Sequence, residues 1–168
     1  MKFRVEHVFS DISLADYEAL FFDETFNTAL CKAVRLERTL VKRELEGGRL
    51  TRALRISPDR EIPGPVAKVI GASKIEYTEH INYTYGSHKA TWRTDSSILP
   101  DKVESSGALG FLERGGKVVR WVEGDVKVKI FGLGGIVERF IVADVEKSYD
   151  NAADFTRRWL KERGGKKA

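Results

Sequence analysis

The stretch from Gly132 to Gly164, GLGGIVERFIVADVEKSYDNAADFTRRWLKERG, decides how this chain folds. From Ile136 onward, Ile136, Phe140, Ala143, Val145, Tyr149, Ala152, Phe155 and Trp159 recur mostly at steps of three and four residues. Glu138, Arg139, Glu146, Lys147, Asp150, Arg157, Arg158 and Lys161 fill the gaps. That spacing predicts one long amphipathic helix over 136–163 whose apolar stripe needs a partner surface. The glycines at 132, 134 and 135 are the hinge that turns the chain into it. They satisfy neither phosphate-loop pattern, G-x-G-x-x-G nor G-x-x-x-x-G-K-[ST], and no βαβ unit surrounds them.

What precedes the helix supplies the partner. Phe3, Val5, His7 and Phe9 alternate with Lys2, Arg4 and Glu6, which predicts a half-buried strand over 2–9. Ser13 followed by Asp16 reads as a helix N-cap, opening a short helix to about Phe22. Asp23-Glu24-Thr25 opens a second helix through Ala33. Strand-like runs follow at 35–46, 49–57, 74–85, 89–99, 103–114 and 117–131. Their connections are short, Gly47-Gly48 being a two-residue hairpin signal, so the strands are expected to pair antiparallel. The longer connection, Pro58–Ser73, reads as a loop with one or two helical turns closed by Gly71. The order strand, helix, helix, six strands, long helix predicts an α+β fold. One curved antiparallel sheet of about seven strands wraps the C-terminal helix in a single domain over 1–163, with 164–168 a disordered tail.

Composition bounds the function. The chain has 168 residues, 42% hydrophobic and 32% charged, enough to bury a core. Cys31 is its one cysteine, so no internal disulfide forms, and the histidines at 7, 80 and 88 lack ligand spacing. Neither metal nor cofactor is implied. Apolar runs are too short to span a bilayer and the N-terminus is not a signal peptide, so a cytoplasmic location is expected. The net charge is +4. Residues 32–60 alone, with nine basic against four acidic residues, are more positive than the whole chain, and could touch an anionic membrane surface. They lack the interleaved aromatics of a nucleic-acid platform, so no nucleic acid is expected as a partner. The chain is expected to be a monomer or a weak dimer.

The order of elements, with Leu20-Phe21-Phe22-Asp23-Glu24-Thr25-Phe26 and later Ile62-Pro63-Gly64-Pro65, resembles the START-like, polyketide-cyclase-like helix-grip superfamily. It looks most like a bacterial branch of unknown function. The resemblance covers about residues 2–163. It implies a cavity between sheet and C-terminal helix for an apolar molecule, and no shared catalytic motif.

Alternation nominates the residues that would line it. On the run at 74–85, Ile75, Tyr77, Glu79, Ile81, Tyr83 and Tyr85 share a face. Arg52 sits among Leu50, Leu54 and Ile56, Trp92 between Ala90 and Thr94, and Arg120 among Val118, Val122 and Val126. A charge on an apolar face is costly unless paired or wet, so Glu79, Arg52 and Arg120 either orient a ligand's polar end or pair with one another. Binding residues are therefore expected at Arg52, Tyr77, Glu79, Tyr83, Trp92, Arg120, Phe140 and Tyr149. The loop Pro58–Ser73 would surround the mouth in the resemblance, with Val66, Val69 and Ile70 as a gate. The leading expectation is binding or carriage of a lipid, sterol-like or polyketide-like molecule. One alternative is a cyclase, aromatase or hydrolase with Glu79 as acid/base beside Tyr83, His80 or Arg120. Another is a protein-interaction module whose core is filled by its own side chains.

Overall fold

The computed structural model describes residues 1–164. The chain runs β1 (Lys2–Phe9), α1 (Leu14–Phe21), α2 (Glu24–Ala33), β2 (Leu36–Glu46), β3 (Arg49–Pro58), α3 (Gly64–Ile70), β4 (Tyr77–Thr84), β5 (Lys89–Ser96), β6 (Val103–Arg114), β7 (Lys117–Val128) and α4 (Gly134–Gly164). The strands form one antiparallel sheet in the order β1-β7-β6-β5-β4-β3-β2. Sequence order is kept from β2 to β7. The first strand then closes beside the last, so the α1–α2 segment must cross from one edge of the sheet to the other.

Local chemistry sets these boundaries. Ser13 Oγ accepts from the Asp16 N–H at 3.1 Å and Asp23 from the Phe26 N–H at 3.1 Å, so each short helix has a side-chain N-cap. Gly47 and Gly48 take φ of 58° and 79°, the left-handed pair that a two-residue turn between twisted strands requires. Gly71, at φ 67°, ends α3 as a left-handed cap whose N–H reaches the Ala67 carbonyl. A register shift between Leu40 and Lys42 bulges the edge strand β2.

The helix α4 lies across the concave face. Its close backbone approaches are to β7, β1, α2 and α3; none comparable is made to β3, β4 or β5 among the described residues. The core beneath it joins Phe9, Tyr17, Phe111, Val118, Val122, Val126, Val137, Val142 and Ala153. Phe9 stacks on Tyr17 at 5.2 Å, and Tyr17 meets Phe111 edge-on at the same separation.

The structure corrects the expected stripe on α4. Ile136 is 42% exposed and Ala143 is also exposed, whereas Val137, Val142, Ala153 and Thr156, outside that stripe, are buried, as is Ala152 within it. The helix begins at Gly134, where an added Cβ would lie 2.1 Å from the Val128 carbonyl oxygen. Of the tail expected at 164–168, residues 165–168 lie outside the described residues.

Candidate functional site

Antiparallel register places four polar side chains on the concave face of the middle strands. Arg38 pairs with Ile56, Ile56 with Tyr77, Leu54 with Glu79, and Arg52 with Ile81. Since directly paired and alternate residues share a face, Arg38, Arg52, Tyr77 and Glu79 all point toward the helices. Arg52, Tyr77 and Glu79 were anticipated from alternation. Arg38 was not, because its strand is at an edge and reads as a solvated hairpin.

These side chains differ in how they are satisfied. Arg38 forks onto both carboxylate oxygens of Glu24, at 2.9 and 3.2 Å, and holds that carboxyl below its ordinary range. Arg52 is 7% exposed, and among the described residues it makes no ion pair and donates no hydrogen bond. Its Nε is sealed without a partner, and its guanidinium carbon stands 5.6 Å from the centre of the Phe22 ring. Burial pulls the guanidinium down, with the Glu79 charge as the main opposing influence. Glu79 likewise has no hydrogen-bond or ion-pair partner among the described residues. Burial pushes its carboxyl up, while Arg52, Arg38 and His80 pull the other way.

Tyr77 and Tyr149 complete this lining. Burial raises both hydroxyls, and the charge of Glu79 raises them further. Neither hydroxyl has a protein partner among the described residues, yet neither is sealed, for the sealed partnerless side-chain atoms there are Arg52 Nε and Arg120 Nε. Tyr77, Glu79 and Tyr149 each keep some accessible surface. Cys31 of α2 is half-buried nearby; burial raises its thiol, which disfavours the nucleophilic thiolate.

Arg120 belongs to a different cluster. Its Nη2 donates to His7 Nδ1 at 2.9 Å and to the Tyr149 carbonyl at 3.1 Å, and its guanidinium lies over the rings of Phe9 and Tyr149. A guanidinium only donates, so Nδ1 must be the bare nitrogen of His7. The proton then sits on Nε2 and is donated to Asp150 Oδ1 at 2.7 Å. Burial lowers the His7 pKa and keeps the ring neutral. This chain of contacts ties β1 and β7 to the middle of α4.

Tyr83 is removed from Glu79. Its hydroxyl donates to Glu18 of α1, which also accepts the Gly86 N–H at 3.2 Å, and its ring packs 4.8 Å from that of Phe22. His80 points to the opposite face and meets Asp95 at 2.8 Å. The grouping of Glu79 with Tyr83 or His80 therefore does not form. The signal was misleading because Tyr83 shares a face with Glu79 but lies four residues along the strand. Trp92 is on the concave face, half-buried over Gly124, where an added Cβ would come within 2.4 Å of the indole.

An open cleft of about 800 Å³ lies between α4 and the β3–α3 connection, lined in part by Arg35, Arg60, Pro63, Ser73, Phe140 and Asp144. Arg60 spans it, bonded to Asp144 and, at 2.7 Å, to Ser148 Oγ. Asp144 raises and Arg60 lowers the pKa of the Tyr77 hydroxyl, both less than burial does. Val66 and Ile70 are buried in the core cluster and Val69 packs against it, so these three face inward from α3. Among the described residues no group of His, Cys, Asp and Glu could hold a metal ion, and no helix is long and apolar enough to cross a membrane. Of the basic residues in 32–60, Arg35, Arg38, Lys42, Arg55 and Arg60 each meet an acid.

A seven-stranded antiparallel sheet gripping a long C-terminal helix, with two short helices after the first strand, is the helix-grip fold, which START-like and polyketide-cyclase-like proteins share. Three solved structures share it. A START superfamily protein from Mycobacterium smegmatis is 14% identical, covering 96% of this chain and 97% of its own, with a TM-score of 0.56. Norcoclaurine synthase from Thalictrum is 16% identical, with coverages of 96% and 94% and a TM-score of 0.57. The di-domain ARO/CYC StfQ of the steffimycin biosynthetic pathway is 10% identical over 98% of this chain and 52% of its own, with a TM-score of 0.65. Within that class, the chain belongs to the family described as protein of unknown function DUF2505, which matches residues 5–160. No curated protein sequence matches it.

Proposed function

We propose that the protein binds and carries a small hydrophobic or amphipathic molecule in the space between α4 and the middle strands β3–β5. One observation carries this reading: Arg52, Tyr77, Glu79 and Tyr149 converge on that space with no protein partner for their polar ends. A core filled for its own stability seldom leaves four such groups without partners on one face, whereas an apolar binding site with a few convergent polar groups does. The walls are Trp92, Ile81 and Leu54 on the sheet, with Tyr149 and Phe140 on α4. The mouth is the cleft spanned by Arg60. In this reading α3 is the flap, and Val66, Val69 and Ile70 are its inner side. The norcoclaurine synthase and ARO/CYC structures share the fold, so an acid/base reaction at Glu79 is a second reading, favoured by that carboxyl's raised pKa.

Organic extraction of the purified protein followed by mass spectrometry tests the carrier reading. A stoichiometric apolar compound is the expected result, with a melting temperature that falls after its removal and rises again on adding it back. A protein that carries nothing, and that no apolar probe stabilises, refutes it.

A further inference from the structure

The charges of the proposed site do not balance. Arg38 is neutralised by its two-pronged bond to Glu24. Arg120 has two acceptors, His7 and the Tyr149 carbonyl. Arg52 has none among the described residues, although it is 7% exposed. Its Nε is sealed, so its terminal nitrogens are what it can offer. Glu79 is a diagonal neighbour of Arg52 across the β3–β4 register, close enough for long side chains to meet, yet the two form no ion pair. A guanidinium stays protonated in proteins, and a buried charge without a counter-ion costs several kcal/mol. An uncompensated positive charge on the wall of an apolar site is what an anion would offset.

Resting on the reading of this space as a ligand site, we infer that the ligand ends in a carboxylate, held by the terminal N–H groups of Arg52 while its apolar body lies against Trp92, Ile81 and Tyr149. The single guanidinium of Arg52 matches a monoanion better than a phosphate ester, which carries more charge. The planar fork of Arg52 suits a carboxylate, and Phe22 on one side confines the approach. Glu79 shares that face, two residues along β4 from the Ile81 that pairs with Arg52. Tyr77 and Tyr149 offer further donors.

The test measures the affinity of the delipidated full chain for hexadecanoic acid and for 1-hexadecanol, two probes of equal chain length, by competition with a neutral fluorescent naphthalene dye. The acid is expected to bind about ten-fold or more tightly than the alcohol. R52M should bring the two affinities together, and R52K should keep part of the preference. R52M without ligand should also melt higher than the parent, because an unpaired buried charge has gone. Equal affinities in the parent protein overturn the carboxylate inference and leave the carrier reading standing. So does a preference for the acid that survives R52M. If acid, alcohol and dye all fail to bind, the carrier reading falls with it. Should R52M not fold, the ratio in the parent and in R52K decides.

Discussion

Replacing His7 by leucine tests the polar clasp that holds α4 to the sheet. Leucine fills much of the ring's volume, so the cost comes from lost acceptors and donors. Arg120 is 5% exposed and would keep the Tyr149 carbonyl at 3.1 Å while losing Nδ1 at 2.9 Å. A hydrogen bond from a charged, buried donor is worth about 1.5–3 kcal/mol. The bond from Nε2 to Asp150 adds less, since that carboxylate is 67% exposed and water replaces the imidazole. The expected loss is thus about 2–3 kcal/mol. At about 2–4 °C per kcal/mol for a domain of this size, the melting temperature should fall by about 4–12 °C. Urea unfolding followed by tryptophan fluorescence measures it, with the slope on denaturant unchanged. The companion variant R120M and the double variant H7L/R120M complete a cycle. Removing both partners abolishes the orphan, so the double variant should recover most of the stability that H7L loses. An H7L protein within about 0.5 kcal/mol of the parent, or a double variant that loses the sum of the singles, refutes the clasp.

The same histidine makes stability depend on pH. Burial holds its folded pKa below the ordinary value of 6.5, with Arg120 and Arg157 adding to the effect and Asp150 opposing it. The unfolded chain therefore takes up the proton first. The stability contributed by neutral His7 is present above about pH 6.5 and is lost as pH falls through the folded value, a slope that H7L should remove from a urea-unfolding series. Glu79 acts in the opposite sense, its folded pKa being raised above the ordinary 4.5. Parental stability should fall as pH rises from about 4.5 through that raised value, and E79Q should match the parent at low pH and exceed it in mild alkali. G107A should cost about 3 kcal/mol or more in thermal unfolding, since its Cβ would lie 2.0 Å from the Glu123 carbonyl oxygen and 2.6 Å from Gly124 Cα, both backbone atoms. G64A, with nothing within 4 Å, should remain within about 0.5 kcal/mol of the parent or gain.

What the sequence disclosed, and what it withheld, divides along the range of the interactions. Ser13, Asp23, Gly47-Gly48 and Gly71 act on backbone within a few residues, so their caps and turns were legible, and with them the order of elements. Alternation was legible too, and it put Arg52, Tyr77, Glu79 and Trp92 on the concave face where they lie. The rotation of α4 was not: it is set by packing between elements far apart in sequence, where Val137, Val142 and Ala153 join the core cluster. Partners were hidden for the same reason. Glu18 claims Tyr83 from 65 residues away, and Asp150 meets His7 from 143. Arg38 stood in a strand whose charges seemed to face water, and its partner lies on α2.

Arg52 and Glu79 show the limit most sharply. Alternation marks the face a side chain occupies but says nothing of its rotamer, and opposite charges on one apolar face invite the expectation of an ion pair. The register makes them diagonal neighbours, so the backbone permits the pair. It does not form. Had it formed, both charges would be spent and the concave face would hold a closed polar core of the kind that fixes a fold. Left apart, the guanidinium has no protein acceptor among the described residues, while burial pushes the pKa of the carboxyl upward. That asymmetry has no evident use in holding the sheet to the helix, a task already met by His7, Arg120 and Asp150. It is an asymmetry that an acidic, otherwise apolar guest would resolve.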